Sequence, residues 1–202
     1  MIECIRGGGG GRRLLVAVTA AALVVSVSTT SFGGQTPVTT PPKVGDKAPD
    51  FTLPAIEGAP VSLAKSLALG PAVVIVARGW VGYQCPFCNR QFGDFLRHAA
   101  EIEAAGAQVI WIYPGPTDQV HERAKEFVDG RPFPPNFRLV LDPDYTFTLR
   151  YGLRWDAPKE TAYPATLVID RDGIVRFALV SRTHGDRAPA ADVLAALAAL
   201  KK

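Results

Sequence analysis

The sequence predicts an α/β fold: a central mixed β-sheet flanked by helices, with an N-terminal β-hairpin. Three observations predict it. Residues 72–77 (Ala-Val-Val-Ile-Val-Ala) form a continuous apolar run rich in β-branched residues, the composition of a strand buried on both faces. Apolar residues then recur at helical spacing (Phe92, Phe95, Leu96, Ala99, Ile102) before a second strand-like run at 108–113. That is a βαβ unit, and it places the two strands parallel. Near the end, Asp172-Gly173 separates the runs 166–170 and 174–179 as a hairpin turn, which adds an antiparallel pair.

The remaining elements follow in order. Phe51 and Leu53 alternate with polar neighbours as in a short strand, Glu57-Gly58 reads as a turn, and 61–63 as the second short strand. The helix after the 72–77 strand is predicted as one piece over 86–105, stopped by Gly106. Pro114-Gly115-Pro116 ends the strand at 108–113, and Thr117 or Asp118 is the predicted cap of a helix reaching Val128. Residues 139–141 read as a strand, Asp142-Pro143-Asp144 as the cap of a short helix through Tyr151, and 190–200 as a final amphipathic helix.

The chain has 202 residues, 48% hydrophobic and 20% charged, an ordinary globular balance sufficient for one well-packed domain. The net charge is +3, but residues 1–34 carry Arg6, Arg12 and Arg13 against Glu3, so the rest is nearly neutral. That balance gives no reason to expect a nucleic-acid partner. Arg12-Arg13, an apolar run at 14–27 and small polar residues at 28–34 stand in the order of a secretory signal. A run of fourteen residues falls short of the ~20 of a membrane span. Residues 1–34 are therefore expected to be a signal peptide, or an N-terminal anchor if uncleaved, with a membrane association only in the second case. The Thr/Pro-rich segment 35–43 reads as a flexible tether, and 44–202 as the folded domain. The expected location is outside the cytoplasm.

Cys85-Pro86-Phe87-Cys88 lies between the apolar strand and the helix. Pro86 suits the first helical turn, where a missing N–H costs nothing. This leaves Cys85 at the cap, where the helix N-terminus favours a thiolate. With Cys4 removed in a signal, Cys85 and Cys88 are the two remaining cysteines. One close pair in an exported chain is not a disulfide scaffold, and a two-residue loop constrains little chain entropy. A redox dithiol is the reading that remains. A zinc site lacks a second ligand pair, and Asn89 follows Cys88 where covalent haem attachment needs His. Arg78, close to the strand end, is a candidate for stabilising the thiolate, with a solvated or ion-paired arginine as the alternative. Trp80, with Tyr83 and Phe87, offers an apolar rim for an extended peptide, with core packing as its alternative. His98, His121 and His184 show no ligand spacing, and no metal or other cofactor is expected.

Three motifs in this order carry a resemblance. Gly45-Asp46-Lys47-Ala48-Pro49-Asp50-Phe51-Thr52-Leu53, the Cys85–Cys88 motif after the apolar strand, and residues 164–176 together resemble the AhpC/TSA (peroxiredoxin-like) and TlpA-type proteins of the thioredoxin-like superfamily. The resemblance spans about residues 44–200. It implies a thioredoxin-like fold, an exposed attacking Cys85 and a buried resolving Cys88. It also implies a substrate platform at Pro164, the position of the cis-proline facing the dithiol, with the backbone of Tyr163 presented beside it. The chain departs from the family patterns at defined places. Gly82 stands where peroxiredoxins have Thr or Ser, and no Arg adjoins Tyr163-Pro164 in the sequence. Gly79 stands where thioredoxins have a buried Asp, and Gln84 where they have Trp.

The expected activity is thus an exported thiol–disulfide oxidoreductase acting on a protein disulfide, recycled by a thiol–disulfide partner protein. The first rival is a thiol-dependent peroxidase in which Cys85 attacks a hydroperoxide through a sulfenic acid. The second is a non-catalytic copper-handling module using the same Cys pair.

Overall fold

The computed structural model describes residues 40–201; the predicted signal segment 1–34 lies outside the described residues. In chain order the elements are β1 (Thr52–Leu53), β2 (Val61–Ser62), α1 (Leu63–Leu69), β3 (Ala72–Val76), α2 (Pro86–Arg97), α3 (Ala99–Ala104) and β4 (Gln108–Gly115). Then come α4 (Val120–Val128), β5 (Phe137–Pro143), α5 (Thr146–Arg150), β6 (Ala165–Ile169), β7 (Val175–Val180) and α6 (Ala190–Ala199).

The sheet order is β5-β4-β3-β6-β7, with β1 and β2 forming a separate antiparallel pair. β3 pairs parallel with β4, and β4 parallel with β5. β3 pairs antiparallel with β6, and β6 with β7. This is the predicted mixed sheet. All five residues of β3 are fully buried. Val73 and Ile75 face one apolar layer, with Phe92 and Phe95 of α2, Trp111 of β4, Phe127 of α4 and Leu197 of α6. Val74 and Val76 face the other, with Phe51, Leu63, Phe147 and Tyr151. The unbroken apolar run follows from this: no face of β3 meets water, so no position needs a polar side chain.

The aromatic layer under α2 fixes the helix to the sheet. Phe92 meets the Trp111 ring edge-on at 5.0 Å and lies 5.2 Å from Phe127. Each such ring contributes ~1.5–3 kcal/mol by leaving water. The C-terminal end of β3 is thereby tied to the start of α2, the junction that carries both cysteines.

Three local expectations are corrected. Residue 63 does not continue β2: Ser62 adopts extended backbone and its hydroxyl accepts from the Lys65 amide at 3.3 Å, which starts α1 instead. The predicted helix over 86–105 is two helices. The break is at His98 (φ −99°, ψ 14°), whose ring Nδ1 lies 2.9 Å from the Asp94 carbonyl oxygen and competes for a helical acceptor. Neither Thr117 nor Asp118 caps α4. The Thr117 hydroxyl and amide both donate to the Asp144 carboxylate (2.6 and 3.0 Å), and the helix begins at Val120. Of the segment read as a tether, residues 35–39 lie outside the described residues; Pro42 is buried, and Thr40 lies close to the backbone of Gly152.

Asp142 does cap the short helix, as the sequence suggests. Its carboxylate is fully buried and accepts from the Phe147 and Thr148 amides at 2.7 and 3.0 Å. Burial raises its pKa, while those two amides and the Thr148 and Thr146 hydroxyls favour its charge. Asp142→Ala leaves two buried N–H groups without an acceptor and is expected to cost ~2–4 kcal/mol in urea unfolding, with Asp142→Asn costing clearly less.

Candidate active site

β3 delivers the chain to a turn, Ala77 to Gln84, before α2 begins. Gly79 sits at φ +77°, and a Cβ there would stand 2.3 Å from the Pro114 carbonyl oxygen, so only glycine fits. Trp80 and Gln84 form a single antiparallel bridge across this turn. Gln84 then pins the turn to the body: its amide donates to the Arg123 carbonyl oxygen at 2.8 Å and its Oε1 accepts from Tyr113 at 2.8 Å.

Cys85 is the N-cap of α2, in extended backbone, with Pro86 in the first turn. Both thiols are free and both residues are 2% exposed. The expectation of an exposed Cys85 is thus corrected: residues 181–189 pass over this end of α2 and bring Arg187 onto the sulfurs. The Arg187 Nη2 is 3.9 Å from Cys85 Sγ and 3.8 Å from Cys88 Sγ. The Arg78 amide donates to Cys88 Sγ at 3.3 Å.

These contacts separate the two sulfurs. The Cys85 thiol is lowered from 9.0 to about 5, first by a hydrogen bond from Cys88, against the cost of burial. The N–H groups of Cys88 and Phe87 and the charge of Arg187 act in the same direction. Cys88 is pushed well up, by the negative partner it donates to and by burial. At neutral pH the pair is one thiolate and one thiol, the asymmetry that nucleophilic attack followed by resolution requires.

The other predicted residues fall as follows. The Arg78 guanidinium does not face the sulfurs. It donates to Glu160 Oε2 and Oε1 at 2.7 and 2.9 Å, to Tyr83 at 3.0 Å and to the Lys159 carbonyl oxygen at 2.9 Å. The side chain near the dithiol is Arg187, which comes from 102 residues away in sequence. Trp80 is half-buried, with the Arg123 guanidinium 4.0 Å above its ring. Pro164 is buried immediately before β6, whose Ala165 pairs with Val76. That register puts Pro164 at the same sheet end as the dithiol. Tyr163 is half-buried and stacks on Trp155 at 4.7 Å and 11°.

Sequence reasoning missed Arg187, Glu160 and His184. Glu160 collects two hydrogen-bonding partners: Arg78 and, at 2.8 Å from Oε1, His184 Nε2. Burial opposes the charge on Glu160, yet these partners hold its carboxyl below the usual range. No short-range spacing signals this cluster, because its members lie in three separate loops.

The pH dependence follows with a definite sign. Cys85 alkylation is expected to rise through a midpoint at about pH 5 and be level by neutrality, where an ordinary thiol with pKa ~8.5 would still be climbing. The depressed thiol also stabilises the reduced fold, a contribution present above the unfolded thiol's pKa and lost as pH falls through about 5. Arg187→Gln is expected to move the alkylation midpoint upward, read by iodoacetamide labelling and mass spectrometry across pH.

A buried, polarised dithiol at the N-terminus of a helix packed on a thioredoxin-like sheet defines a thiol oxidoreductase. A family model for the AhpC/TSA family matches residues 44–178, and the chain belongs to that family. It is 27% identical over 136 residues to the methylamine utilization protein MauD of Methylobacillus flagellatus, covering 67% of this chain. It spans only 56% of that relative's length. Among solved structures it resembles peroxidoxin BcpB of Mycobacterium tuberculosis (26% identity, TM-score 0.66, covering 80% of this chain and 99% of that one). It also resembles a Chlorobium tepidum structure provisionally named thiol:disulfide interchange protein DsbE (25% identity, TM-score 0.57, covering 77% and 99%).

Proposed function

We propose that this protein is an exported thiol–disulfide oxidoreductase that exchanges disulfides of protein substrates through Cys85 and Cys88. The observation that carries the reading is the placement of the two free thiols, Cys85 at the N-cap of α2 and Cys88 one turn inside it, with the Arg187 guanidinium 3.9 and 3.8 Å from their sulfurs and the Arg78 amide on Cys88. The likeness to the DsbE-named structure supports it. The export rests on the order of basic, apolar and small residues in 1–34.

The chemistry runs as two exchanges. The Cys85 thiolate attacks one sulfur of the substrate disulfide; a Cys85–substrate bond forms, the substrate S–S bond breaks, and the other sulfur leaves as a thiolate that takes a proton from water. Cys85 is then neutral. The hydrogen bond and charge that chiefly hold the proton on Cys88 are gone, while the Arg78 amide and Arg187 still favour its thiolate. Cys88 gives its proton to water and its sulfur attacks the Cys85 sulfur; the Cys85–Cys88 bond forms, the Cys85–substrate bond breaks, and the second substrate sulfur leaves as a thiolate that takes a proton from water. Two electrons pass from the dithiol to the substrate, and a dithiol partner protein returns them.

A peroxidase is the second reading, favoured by the likeness to BcpB and by the cation beside Cys85. Against it, residues 81–84 are Val, Gly, Tyr and Gln, with no Ser or Thr hydroxyl to polarise a peroxide, and the Tyr83 hydroxyl accepts from Arg78. Mixing the reduced protein with hydrogen peroxide and, separately, with insulin decides between them. Efficient insulin reduction with slow peroxide consumption is expected. Rapid second-order loss of the Cys85 thiol to peroxide with no insulin reduction would replace the proposal by its rival.

A further inference from the structure

Residues 181–189, between β7 and α6, form a strap across the dithiol, and their contacts divide into fixed ends and a looser middle. At one end the Ser181 amide donates to the Pro164 carbonyl oxygen at 2.8 Å. At the other, buried Gln91 of α2 donates to the Ala188 carbonyl oxygen at 3.1 Å and the Ala190 amide donates to Asp94 Oδ2 at 2.8 Å. Ser181 and Ala188 are buried, whereas Arg182, Thr183, Gly185 and Asp186 are exposed. The middle holds on through few side chains. His184 binds Glu160 at 2.8 Å and leans on the Trp155 ring at 5.3 Å, and the Arg182 guanidinium lies 4.9 Å above Tyr163. Arg187 reaches the sulfurs, and its buried Nε has no hydrogen-bond partner.

Resting on the proposed function, we propose that this strap is the access gate of the dithiol, latched by His184 on Glu160, so that a protein disulfide reaches Cys85 only after the middle of the strap lifts away. A Cys85 that is 2% exposed offers no in-line path to a substrate sulfur carried on a polypeptide. The same movement withdraws Arg187 from both sulfurs, so opening exposes the nucleophile and removes a contribution to its charge together. The closed state keeps a low-pKa thiolate away from adventitious oxidants, and the open state makes it more nucleophilic per thiolate. Glu160 is the fixed half of the latch because Arg78, itself buried, grips its carboxylate from the turn before the dithiol.

The test is the rate of Cys85 modification in the reduced full chain at neutral pH. It uses iodoacetamide and, separately, a maleimide on a 5-kDa-class polymer, and compares the parent with His184→Ala and His184→Gln. His184 is partly exposed, so its replacement opens no core cavity. Loss of the latch is expected to speed modification about tenfold, the change that one hydrogen bond to a charged group supports. The polymer reagent is expected to gain more than iodoacetamide, with Gln restoring part of the closure. Hydrogen exchange in His184→Ala is expected to rise over 181–189 while β3 stays protected. Unchanged modification rates in His184→Ala overturn the gate. So does a rise of exchange in β3 equal to that in the strap, because the acceleration then reports global unfolding. Alkylation needs no turnover, so a protein that failed to reduce insulin would still show the latch effect, and the two proposals fail separately.

Discussion

Cys85→Ser is expected to abolish disulfide reduction, with a loss of at least roughly three orders of magnitude, because a serine hydroxyl is not ionised at neutral pH and does not attack sulfur. The replacement changes one atom at a site that is 2% exposed. The fold is therefore expected to persist, with an unfolding midpoint close to that of the parent. The insulin turbidity assay reads the activity, and thermal unfolding reads the control. The contrast with Cys88 gives the prediction its force. All the groups that favour charge on Cys85 (Cys88, the Phe87 and Cys88 amides, Arg187) are present in Cys85→Ser, and none of them generates a second nucleophile. Cys88 lies one turn inside α2, behind residue 85, so it does not reach an incoming substrate disulfide and does not take over the attack. Full activity in Cys85→Ser would end the assignment of the nucleophile.

Cys88→Ser is expected to do something different: to stop the cycle halfway. The Cys85 thiolate still attacks, but no sulfur lies at hand to resolve the mixed disulfide. A covalent adduct should therefore accumulate to near one equivalent, visible as a mass shift that dithiothreitol reverses. Cys88→Ala, which unlike serine leaves no donor at this position, also removes the leading hydrogen bond that lowers the Cys85 pKa. The alkylation midpoint of Cys88→Ala should rise above about 5, and its adduct formation at pH 6 should slow relative to the parent. A variant that turned over at the parental rate would show that an external thiol resolves the intermediate.

Much of the fold was legible because its signals are local and periodic. The 72–77 run announced a strand with no wet face, and β3 is covered on both sides. Asp172-Gly173 announced the hairpin, and there Asp170 accepts from the Asp172 and Ile174 amides while Gly173 takes φ +78°. The two thiols were legible because their spacing is short and a helix start needs only its neighbours.

What was not legible depends on competition between distant groups. Arg78 stands seven residues before Cys85, which makes it the natural candidate for the cation. Glu160, 82 residues downstream, takes its guanidinium instead. Arg187 sits in a loop whose sequence carries no periodic signal, and only the packing of Gln91 and Asp94 of α2 against residues 188–190 brings it over the sulfurs. The helix break at His98 and the engagement of Thr117 by Asp144 are of the same kind. In each, a side chain had two possible partners, and tertiary structure chose between them.

The account turns on Cys85 and Cys88 forming and breaking a bond with each other. The direct measurement is an equilibrium redox titration of the reduced protein in glutathione buffers of increasing oxidised fraction, quenched in acid and read by peptide mass. A reversible loss of two hydrogens on the single peptide containing both cysteines, following a two-electron curve, is the predicted result. Two thiols that stay free across the titration, or that oxidise only to sulfinic and sulfonic acids, would contradict it.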